Sequence, residues 1–467
     1  MADIAPSVLD ADHQYVDYLV QLQPHPLLVD SNPSQLQFNM FLEEIKQHAH
    51  VTQRELLDEI QTMDDVQYMQ PYFFTNTIAV KSSKETLKRI SKCKGVMEIS
   101  SNRRFPVART SLLSHDAIVL NEVQWDGTPL WSIDYINATG LDAEIHARAA
   151  ELRYANADTG VEFTHPALSE GYLGLTDDGY DHNYAWWDSN KVTNASRVNI
   201  RCGINAQAPC GDDDHGTHTM STVVGKLGLG VSPSSKWMAC KNMDMNFGSP
   251  ESYLGCLQFF LAPTDLQGEN PRPELRPHVI GNSYTCPPEE GCSSTTFSYA
   301  LRALKQAGIV MAVSAGNLGT EGCGSIRYPP AIDPNSFGVG AINYLSDKRA
   351  YFSSMGPAPT RPSAVGLDVV APGVNITGAA LGGKFKALAG TSMAAPHVSG
   401  AALLIMAACP HLERNVDAIQ NLLRLTATPL SATRGCGGDT RTTSPNNEYG
   451  YGKINVGKAI AECQTIQ

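Results

Sequence analysis

The chain has 467 residues, which is long enough for one large hydrophobic core and an accessory module. Its hydrophobic content of 42% and charged content of 18% are ordinary for a globular protein. The net charge of −12 at pH 7 argues against nucleic-acid binding, because such proteins normally present a basic face.

The first hundred residues predict a small α+β domain, to which we assign residues 1–105. Phe41/Ile45 and Leu56/Ile60 stand four residues apart and predict one buried face of a long helix. β-branched and aromatic residues mark the strands. The predicted order is strand 15–24, helix 36–62, strand 72–82, helix 84–93 and strand 95–102. This order of elements is typical of a ferredoxin-like α+β domain.

Residues 106–120 are predicted to connect this module to the rest of the chain. The surrounding sequence, NRRFPVARTSLLSH, is basic and irregular and is typical of an exposed segment. A processing site fits this composition, and so does a surface loop that is never cut.

Residues 121–467 predict a second, larger domain of the α/β class. Short apolar runs that end in Gly, Asn or Asp alternate with helical segments, which predicts a mostly parallel sheet with helices on both faces. The predicted strands are 153–160, 236–244, 278–284, 308–317 and 336–343, and the predicted helices are 219–226, 251–263, 296–308 and 393–409. The longest apolar runs, 308–316 and 401–409, are shorter than the ~20 residues of a membrane span, so we expect no membrane insertion.

Cysteine usage indicates an oxidising compartment. Ten of the eleven cysteines lie after residue 200, which leaves Cys93 as a possible free thiol. The pairs Cys202/Cys210 and Cys286/Cys292 lie in polar loops and predict short disulfide hairpins rather than zinc ligands. We therefore expect a secreted protein, although no signal sequence is visible at the N-terminus. The triplets at Asn137, Asn194 and Asn375 are compatible with glycosylation.

Three predicted strand–helix junctions carry the side chains of nucleophilic acyl transfer. Asp158 follows a strand, His215 opens a helix, and Ser392 lies at the start of an apolar helix. In α/β sheets, functional groups collect at such junctions.

The motifs NADTGV, HGTH and GTSMAAPHVSG, in the order Asp, His, Ser, resemble the subtilisin-like serine proteases, or subtilases. The resemblance covers roughly residues 120–460. NSYTCPPEEGC and LAPTDLQG further resemble the bacillopeptidase F-like branch. The first hundred residues resemble the subtilase propeptide, which is a folding chaperone and inhibitor.

The resemblance implies a serine endopeptidase that acts on proteins or peptides and is made as a self-inhibited zymogen. Ser392 would be the nucleophile, His215 the general base, and Asp158 the residue that orients the imidazole. Asn317 would donate to the oxyanion together with the Ser392 backbone N–H. His218, the second histidine of HGTH, receives a structural role only.

The resemblance also places two segments beside the first substrate pocket. They contribute Ser283, Tyr284 and Thr285 from one segment, and Ala315 and Gly316 from the other. Thr285 stands where subtilases usually have Gly, so we expect a narrower entrance. Arg327 falls at the pocket floor and could pair with an acidic substrate side chain, or simply with a local carboxylate.

The acidic run Asp212, Asp213 and Asp214 is predicted to be an exposed turn that leads into the helix of His215, where acids favour the helix dipole. A metal site is the alternative, but HxxH without another paired ligand is weak evidence for one. We expect no cofactor to be required for catalysis. The family often binds structural calcium, for which the sequence assigns no residues. A monomer is expected, with the module as intramolecular inhibitor.

One segment departs from the family pattern. Residues 140–153 include AEIHARAAELR, which is charged and helix-like where the family usually has a Gly-rich turn and an apolar strand. Either the strand is short, or the segment impairs folding. A catalytically silent pseudoprotease that acts by binding is therefore the second hypothesis, and a metal-dependent hydrolase is the third.

Overall fold

The computed structural model describes residues 2–9, 14–29, 37–106, 120–191, 201–343, 346–360 and 365–465. The predicted connector lies almost entirely outside these residues, and so does the triplet at Asn194. Both remain predictions.

The N-terminal module (residues 1–105) is a sheet packed against helices, as predicted. Helix α3 buries Phe41, Ile45, Leu56 and Ile60 on one face. The described strands form a five-stranded sheet in the order β1-β5-β2-β4-β3. The elements are β1 (Asp3–Ile4), α1 (Pro6–Leu9), β2 (Tyr15–Leu22), α2 (Pro26–Val29), α3 (Phe38–Gln61), β3 (Tyr68–Tyr72), β4 (Thr77–Ser83), α4 (Lys84–Ile90) and β5 (Val96–Ser101).

The sequence predicted one strand over residues 72–82. This prediction is wrong, because these residues belong to a hairpin of two strands. Tyr72 ends β3, and a turn precedes β4. Asn76 closes the turn with φ 54°, a left-handed conformation that asparagine tolerates. Its amide donates to the Gln23 carbonyl oxygen at 2.6 Å and its side-chain oxygen accepts from Gln53 at 2.9 Å. These contacts, which come from other elements, select the turn.

The large region (residues 121–467) is built around a seven-stranded sheet in the order β11-β12-β8-β14-β15-β16-β17, with every pairing parallel. The five predicted strands and four predicted helices are all present, which confirms the α/β fold class. Its first elements, with the short strand that precedes it, are β6 (Phe105–Pro106), β7 (Leu120–Glu122), α5 (Trp131–Tyr135), α6 (Ala143–Ala149), β8 (Arg153–Asp158), β9 (Leu175–Thr176), β10 (Gly179–Tyr180), β11 (Trp186–Asp188), α7 (Asp214–Val224), β12 (Lys236–Lys241), β13 (Phe247–Gly248) and α8 (Pro250–Leu261). The chain continues with β14 (Val279–Asn282), α9 (Ser298–Gln306), β15 (Val310–Ser314), β16 (Phe337–Ile342), β17 (Val369–Pro372), β18 (Ile376–Ala380), β19 (Lys384–Leu388), α10 (Thr391–Ala408), α11 (Val416–Leu425) and α12 (Val456–Cys463).

Helix α10 is the central helix of this region. Within the described residues it is the one helix that is long and apolar enough to cross a membrane, but 89% of that span is buried inside the protein. The apolar run at 401–409 therefore belongs to the core, as predicted.

The atypical segment 140–153 folds as part of the core. Residues 143–149 form helix α6, which buries Ile145 and Ala149, and β8 follows from Arg153. The strand is short, which was the first of the two predicted alternatives. The helix carries its charged residues on its outer side, so the charge of the segment is compatible with a packed structure.

All eleven cysteines lie in the described residues, and ten of them form disulfides. The two predicted hairpins, Cys202–Cys210 and Cys286–Cys292, are confirmed. The other three bridges are Cys240–Cys256, Cys323–Cys436 and Cys409–Cys463. Cys93, in the N-terminal module, is a free thiol.

Candidate active site

The carboxyl edge of the parallel sheet brings Asp158 and His215 together. Asp158 ends β8 and is buried, whereas His215 lies in the first turn of α7. The His215 Nδ1 atom lies 2.8 Å from Oδ1 and 3.0 Å from Oδ2 of Asp158. The Thr159 backbone N–H donates to Oδ1 at 2.7 Å and the Thr219 hydroxyl donates to Oδ2 at 3.3 Å. The carboxylate is therefore held in one orientation, facing the imidazole.

Ser392 lies in the first turn of α10, at the end of the helix where backbone N–H groups have no partner within the helix. Its hydroxyl donates to the Ser283 carbonyl oxygen at 3.1 Å. In return the Ser283 hydroxyl donates to the Ser392 carbonyl oxygen at 3.1 Å. These two contacts fix the start of α10 against the loop that follows β14.

Asn317 and the Ser392 backbone N–H converge on one small space. The side-chain oxygen of Asn317 accepts from the Thr391 N–H at 2.9 Å and from the Thr391 hydroxyl at 2.8 Å, which turns the amide group in the opposite direction. A Cβ placed on Gly390 would lie 3.7 Å from the Asn317 Nδ2 atom and 3.6 Å from the Ser392 nitrogen. Two N–H donors that border one space can bind a developing oxyanion.

His218 is enclosed in the core. Its Nε2 atom lies 2.9 Å from the Ile376 carbonyl oxygen. Burial lowers the pKa of His218 to about 4, so the ring is neutral at physiological pH. This environment agrees with a structural role.

The acidic run Asp212–Asp214 is not the exposed turn that the sequence predicted. The Asp212 carboxylate is only 2% exposed and forms an ion pair with Lys241, whose side chain is fully buried at the end of β12. Asp213 caps α7 by accepting from the His215 N–H at 3.0 Å, and Asp214 pairs with Lys386. The prediction failed because the partner of Asp212 is distant in the sequence. Lys241 comes close to Asp212 only because β12 pairs with β8, and the sequence does not indicate this pairing.

The two predicted pocket segments face each other. A Cβ placed on Gly316 would lie 3.9 Å from the Thr285 methyl group, and Gly316 has φ 95°. Ala315 directly follows β15 and is buried in the core.

Two other predicted pocket residues have different environments. The Tyr284 ring stacks on Tyr253 with 4.3 Å between centroids and is buried in the core, so the ring itself does not border the open edge. The Arg327 guanidinium pairs with Glu321 and donates to the Gly324 carbonyl oxygen at 3.0 Å. The local carboxylate, which was the alternative interpretation of Arg327, is therefore its partner in the structure.

The loop from Asn242 to Gly248 borders the same edge and is not among the site residues predicted from the sequence. The Asn242 backbone N–H donates to the Asp158 carbonyl oxygen at 3.0 Å. The Met245 N–H donates to Asp212 at 2.9 Å, and the Asn246 amide donates to Asp213 at 3.3 Å. The sequence could have indicated this loop, because it follows a predicted strand, and functional groups collect where such strands end.

No group of three or more His, Cys, Asp or Glu side chains in the described part of the chain could hold a metal ion.

Comparisons with known proteins agree with the motifs. The subtilase family model matches residues 155–452. Bacillopeptidase F of Bacillus subtilis (strain 168) is 31% identical over 445 residues, which is 89% of this chain but 28% of that protein. Subtilisin amylosacchariticus of Bacillus subtilis subsp. amylosacchariticus is 30% identical, and the match covers 72% of this chain and 80% of that protein.

A solved structure shares the fold. The crystal structure of the epidermin leader peptide processing serine protease (EpiP) from Staphylococcus aureus superimposes with a TM-score of 0.64 at 16% identity. The match covers 97% of this chain and 100% of that chain. Taken with the family model and the curated relatives, these findings place the chain in the subtilase family of serine endopeptidases.

Proposed function

We propose that this protein hydrolyses peptide bonds in proteins through Ser392, His215 and Asp158, with an acyl-enzyme intermediate. The observation that carries this proposal is the contact of His215 Nδ1 with the buried Asp158 carboxylate at 2.8 Å. The carboxylate favours the tautomer with the proton on Nδ1, which leaves the lone pair of Nε2 to accept the serine proton.

In the first step the Ser392 oxygen would attack the carbonyl carbon of the substrate while its proton moves to His215 Nε2. The Ser392 hydroxyl would first turn away from the Ser283 carbonyl oxygen, a modest change because catalytic hydrogen bonds often form only with substrate bound. The carbonyl oxygen becomes an oxyanion, for which the Asn317 amide and the Ser392 N–H are the donors.

In the second step His215 would return its proton to the leaving amine, and the C–N bond would break. Water then attacks the ester carbonyl carbon while His215 accepts its proton. The ester C–O bond to Ser392 breaks, His215 returns the proton to the Ser392 oxygen, and the carboxylic acid product leaves. Each proton stays within the imidazole and the reacting groups, so Asp158 remains ionised throughout.

We further propose that the N-terminal module is an intramolecular inhibitor that is removed by cleavage within the connector, residues 106–120. Its last described strand, β6, pairs antiparallel with β13 at the edge of the active site, with Phe105 opposite Gly248. A peptide added as a strand to an exposed edge is a common mode of protein–peptide recognition. Five disulfides in the large region support secretion, since such bonds persist in oxidising compartments.

Replacing Ser392 with alanine tests the proposal. We expect the wild-type chain of about 50 kDa to convert itself to a shorter product that digests casein, and Ser392→Ala to remain intact and inactive. Ser293→Ala, in an exposed loop, is the matched control and should behave as wild type. Labelling of the wild type by a fluorophosphonate separates an enzyme from a pseudoprotease, because only an activated serine reacts. Cleavage of the Ser392→Ala chain in the absence of other proteases would contradict the proposal.

A further inference from the structure

The last described residues of the module lie on the large region as a bound peptide would. Phe105 pairs with Gly248 and Pro106 with Phe247. Just before this pairing, the Arg103 N–H donates to the Glu290 carbonyl oxygen at 3.0 Å. The stretch is therefore extended and held by its backbone, so its side chains alternate between the protein and solvent.

Among residues 103–105, Arg104 forms a side-chain ion pair with the large region. Arg103 is exposed and its guanidinium donates to the carbonyl oxygen of Ser7 within the module. Phe105 is also exposed. The Arg104 guanidinium lies 3.9 Å from the Asp244 carboxylate, and these two side chains are only 19% and 10% exposed.

Glu251 supplies a second carboxylate on the same side. Its carboxylate accepts from the Tyr68 hydroxyl at 2.6 Å, the Tyr72 hydroxyl at 3.4 Å and the Asn102 amide at 2.7 Å, and all three donors belong to the module. Burial raises the pKa of Glu251, and the positive charge of Arg104 opposes that rise. Glu251 therefore contacts the module at Asn102, two residues before Arg104.

Module residue Asp17 is the third carboxyl group near this arginine. Burial raises the pKa of Asp17, and the charges of Lys81 and Arg104 oppose the rise. Asp17 leaves with the module, whereas Asp244 and Glu251 stay, and Glu251 then loses the three donors that now satisfy it. The two carboxyl groups that now contact the last residues of the module would remain on the large region.

Asp244 is fixed relative to the strand that a substrate would pair with. Its backbone N–H donates to the Phe247 carbonyl oxygen, and the Phe247 N–H donates to the Asp244 carbonyl oxygen, both at 2.9 Å. The backbone of Asp244 and the edge strand β13 therefore form one local unit, so Asp244 keeps a fixed place relative to a peptide that pairs with this strand.

We propose that Asp244, with Glu251 beside it, forms a substrate subsite that selects a basic side chain at the position now held by Arg104. This inference rests on the proposed function and adds a substrate class to it: extended protein segments with an arginine upstream of the bond that is cut. Arginine suits the site because its planar guanidinium can bind two carboxylates and remains charged at any working pH.

The test uses the self-processed product of the full chain and a quenched fluorogenic peptide with the sequence of residues 101–112, SNRRFPVARTSL. One variant peptide replaces the arginine of position 104 with alanine, and the matched control replaces the arginine of position 103. We expect the first change to lower kcat/KM by on the order of tenfold and the second by less than about twofold, since a charge pair of this burial contributes roughly 1.4 kcal/mol or more, which is a factor of ten.

The enzyme variant Asp244→Asn should remove this preference, so that it cuts the parent peptide and the peptide altered at position 104 at similar rates. Asp244→Glu, which keeps the charge, should retain part of it. The unfolding midpoint of each variant shows whether it folds, and if Asp244→Asn does not, the wild-type comparison alone decides.

Equal cleavage of the three peptides by the wild type, or a parent peptide that is not cut by an enzyme that digests casein, would overturn the subsite. An unchanged preference in Asp244→Asn would also overturn it. A wild type that digests neither peptide nor casein would instead contradict the proposed function.

Discussion

The N-terminal module and the large region are stabilised in different ways. The large region contains all five disulfides, and its longest bridge, Cys323–Cys436, spans 113 residues. The module has a free thiol and a small core of its own, formed by side chains such as Val20, Leu56 and Ile99. Other apolar side chains of the module, among them Phe41 and Phe74, belong to a cluster that continues into the large region. The module therefore depends on its neighbour for much of its burial.

Polar contacts between the module and the large region reinforce this difference. Glu251 accepts three hydrogen bonds from the module, and Gln258 accepts one from the Phe73 N–H at 2.8 Å. Arg302 donates to the Leu28 carbonyl oxygen at 3.1 Å. Contacts of this kind are reversible, whereas disulfides are covalent. The large region is thus cross-linked covalently, whereas the described contacts that hold the module against it are non-covalent.

Removing the longest disulfide should have the largest effect on the stability of the large region. In a Ser392→Ala background, which keeps the chain intact, we expect Cys323→Ala/Cys436→Ala to lower the free energy of unfolding of the large region by about 2–5 kcal/mol, because the bridge closes a long loop. Urea unfolding followed by tryptophan fluorescence measures this loss. Cys93→Ala is the control and should change it by about 0.5 kcal/mol or less. Equal effects of the two changes would contradict the covalent role.

Asn317→Ala should lower catalytic activity and leave the contacts of the module unchanged. Loss of one oxyanion donor costs roughly 2.7–4 kcal/mol of transition-state stabilisation, which is a fall of about 100- to 1000-fold in kcat. Casein or peptide hydrolysis measures it. Asn270→Ala, at an exposed position, is the control. Retention of full activity by Asn317→Ala would exclude this residue from the oxyanion site.

Tyr68→Phe should weaken the contact between the module and the large region without changing the active site. The Tyr68 hydroxyl donates to the buried Glu251 carboxylate at 2.6 Å, and a hydrogen bond to a charged group contributes about 1.5–3 kcal/mol. In the Ser392→Ala chain, we expect faster hydrogen exchange in β3 and at the start of α8. Tyr15→Phe, on strand β2, serves as the control. Unchanged exchange in Tyr68→Phe would show that this hydrogen bond contributes little to holding the module.

The stability of the chain should depend on pH because of Glu290, which is buried. Glu290 lies where the two regions meet, since its neighbour Gly291 contacts Ser101 of the module. Burial raises the pKa of Glu290 to about 9, although the Tyr253 hydroxyl donates to it. The unfolded group ionises near its ordinary value of 4.5. Between these values the folded state holds the extra proton, so its stability falls by about 1.4 kcal/mol per pH unit at most as pH rises.

Glu290→Gln removes this titration. We expect the variant to be more stable than the parent at pH 8 and to differ little from it at pH 4, as measured by thermal unfolding of the Ser392→Ala chain. An equal difference at both pH values would indicate a packing effect rather than ionisation.

Much of the fold follows from local patterns in the sequence. The apolar runs that become β8, β12, β14, β15 and β16 are bounded by Gly, Asn or Asp, and this alternation with helices is visible without any partner residue. The hairpin at Asn76 was missed because a β-branched and aromatic run looks continuous. Its turn is selected by contacts with Gln23 and Gln53, which lie far away in the chain.

By itself, the sequence determined the order of the Asp158, His215 and Ser392 motifs, the alternating architecture and the two short disulfide hairpins. These features depend on residues that lie near one another in the chain. The tertiary structure alone decided the partners of charged groups: Lys241 for Asp212, and Asp244 for Arg104. The physical reason is that an ion pair depends on distance and burial, which are set by the order of strands in the sheet and by the docking of the module.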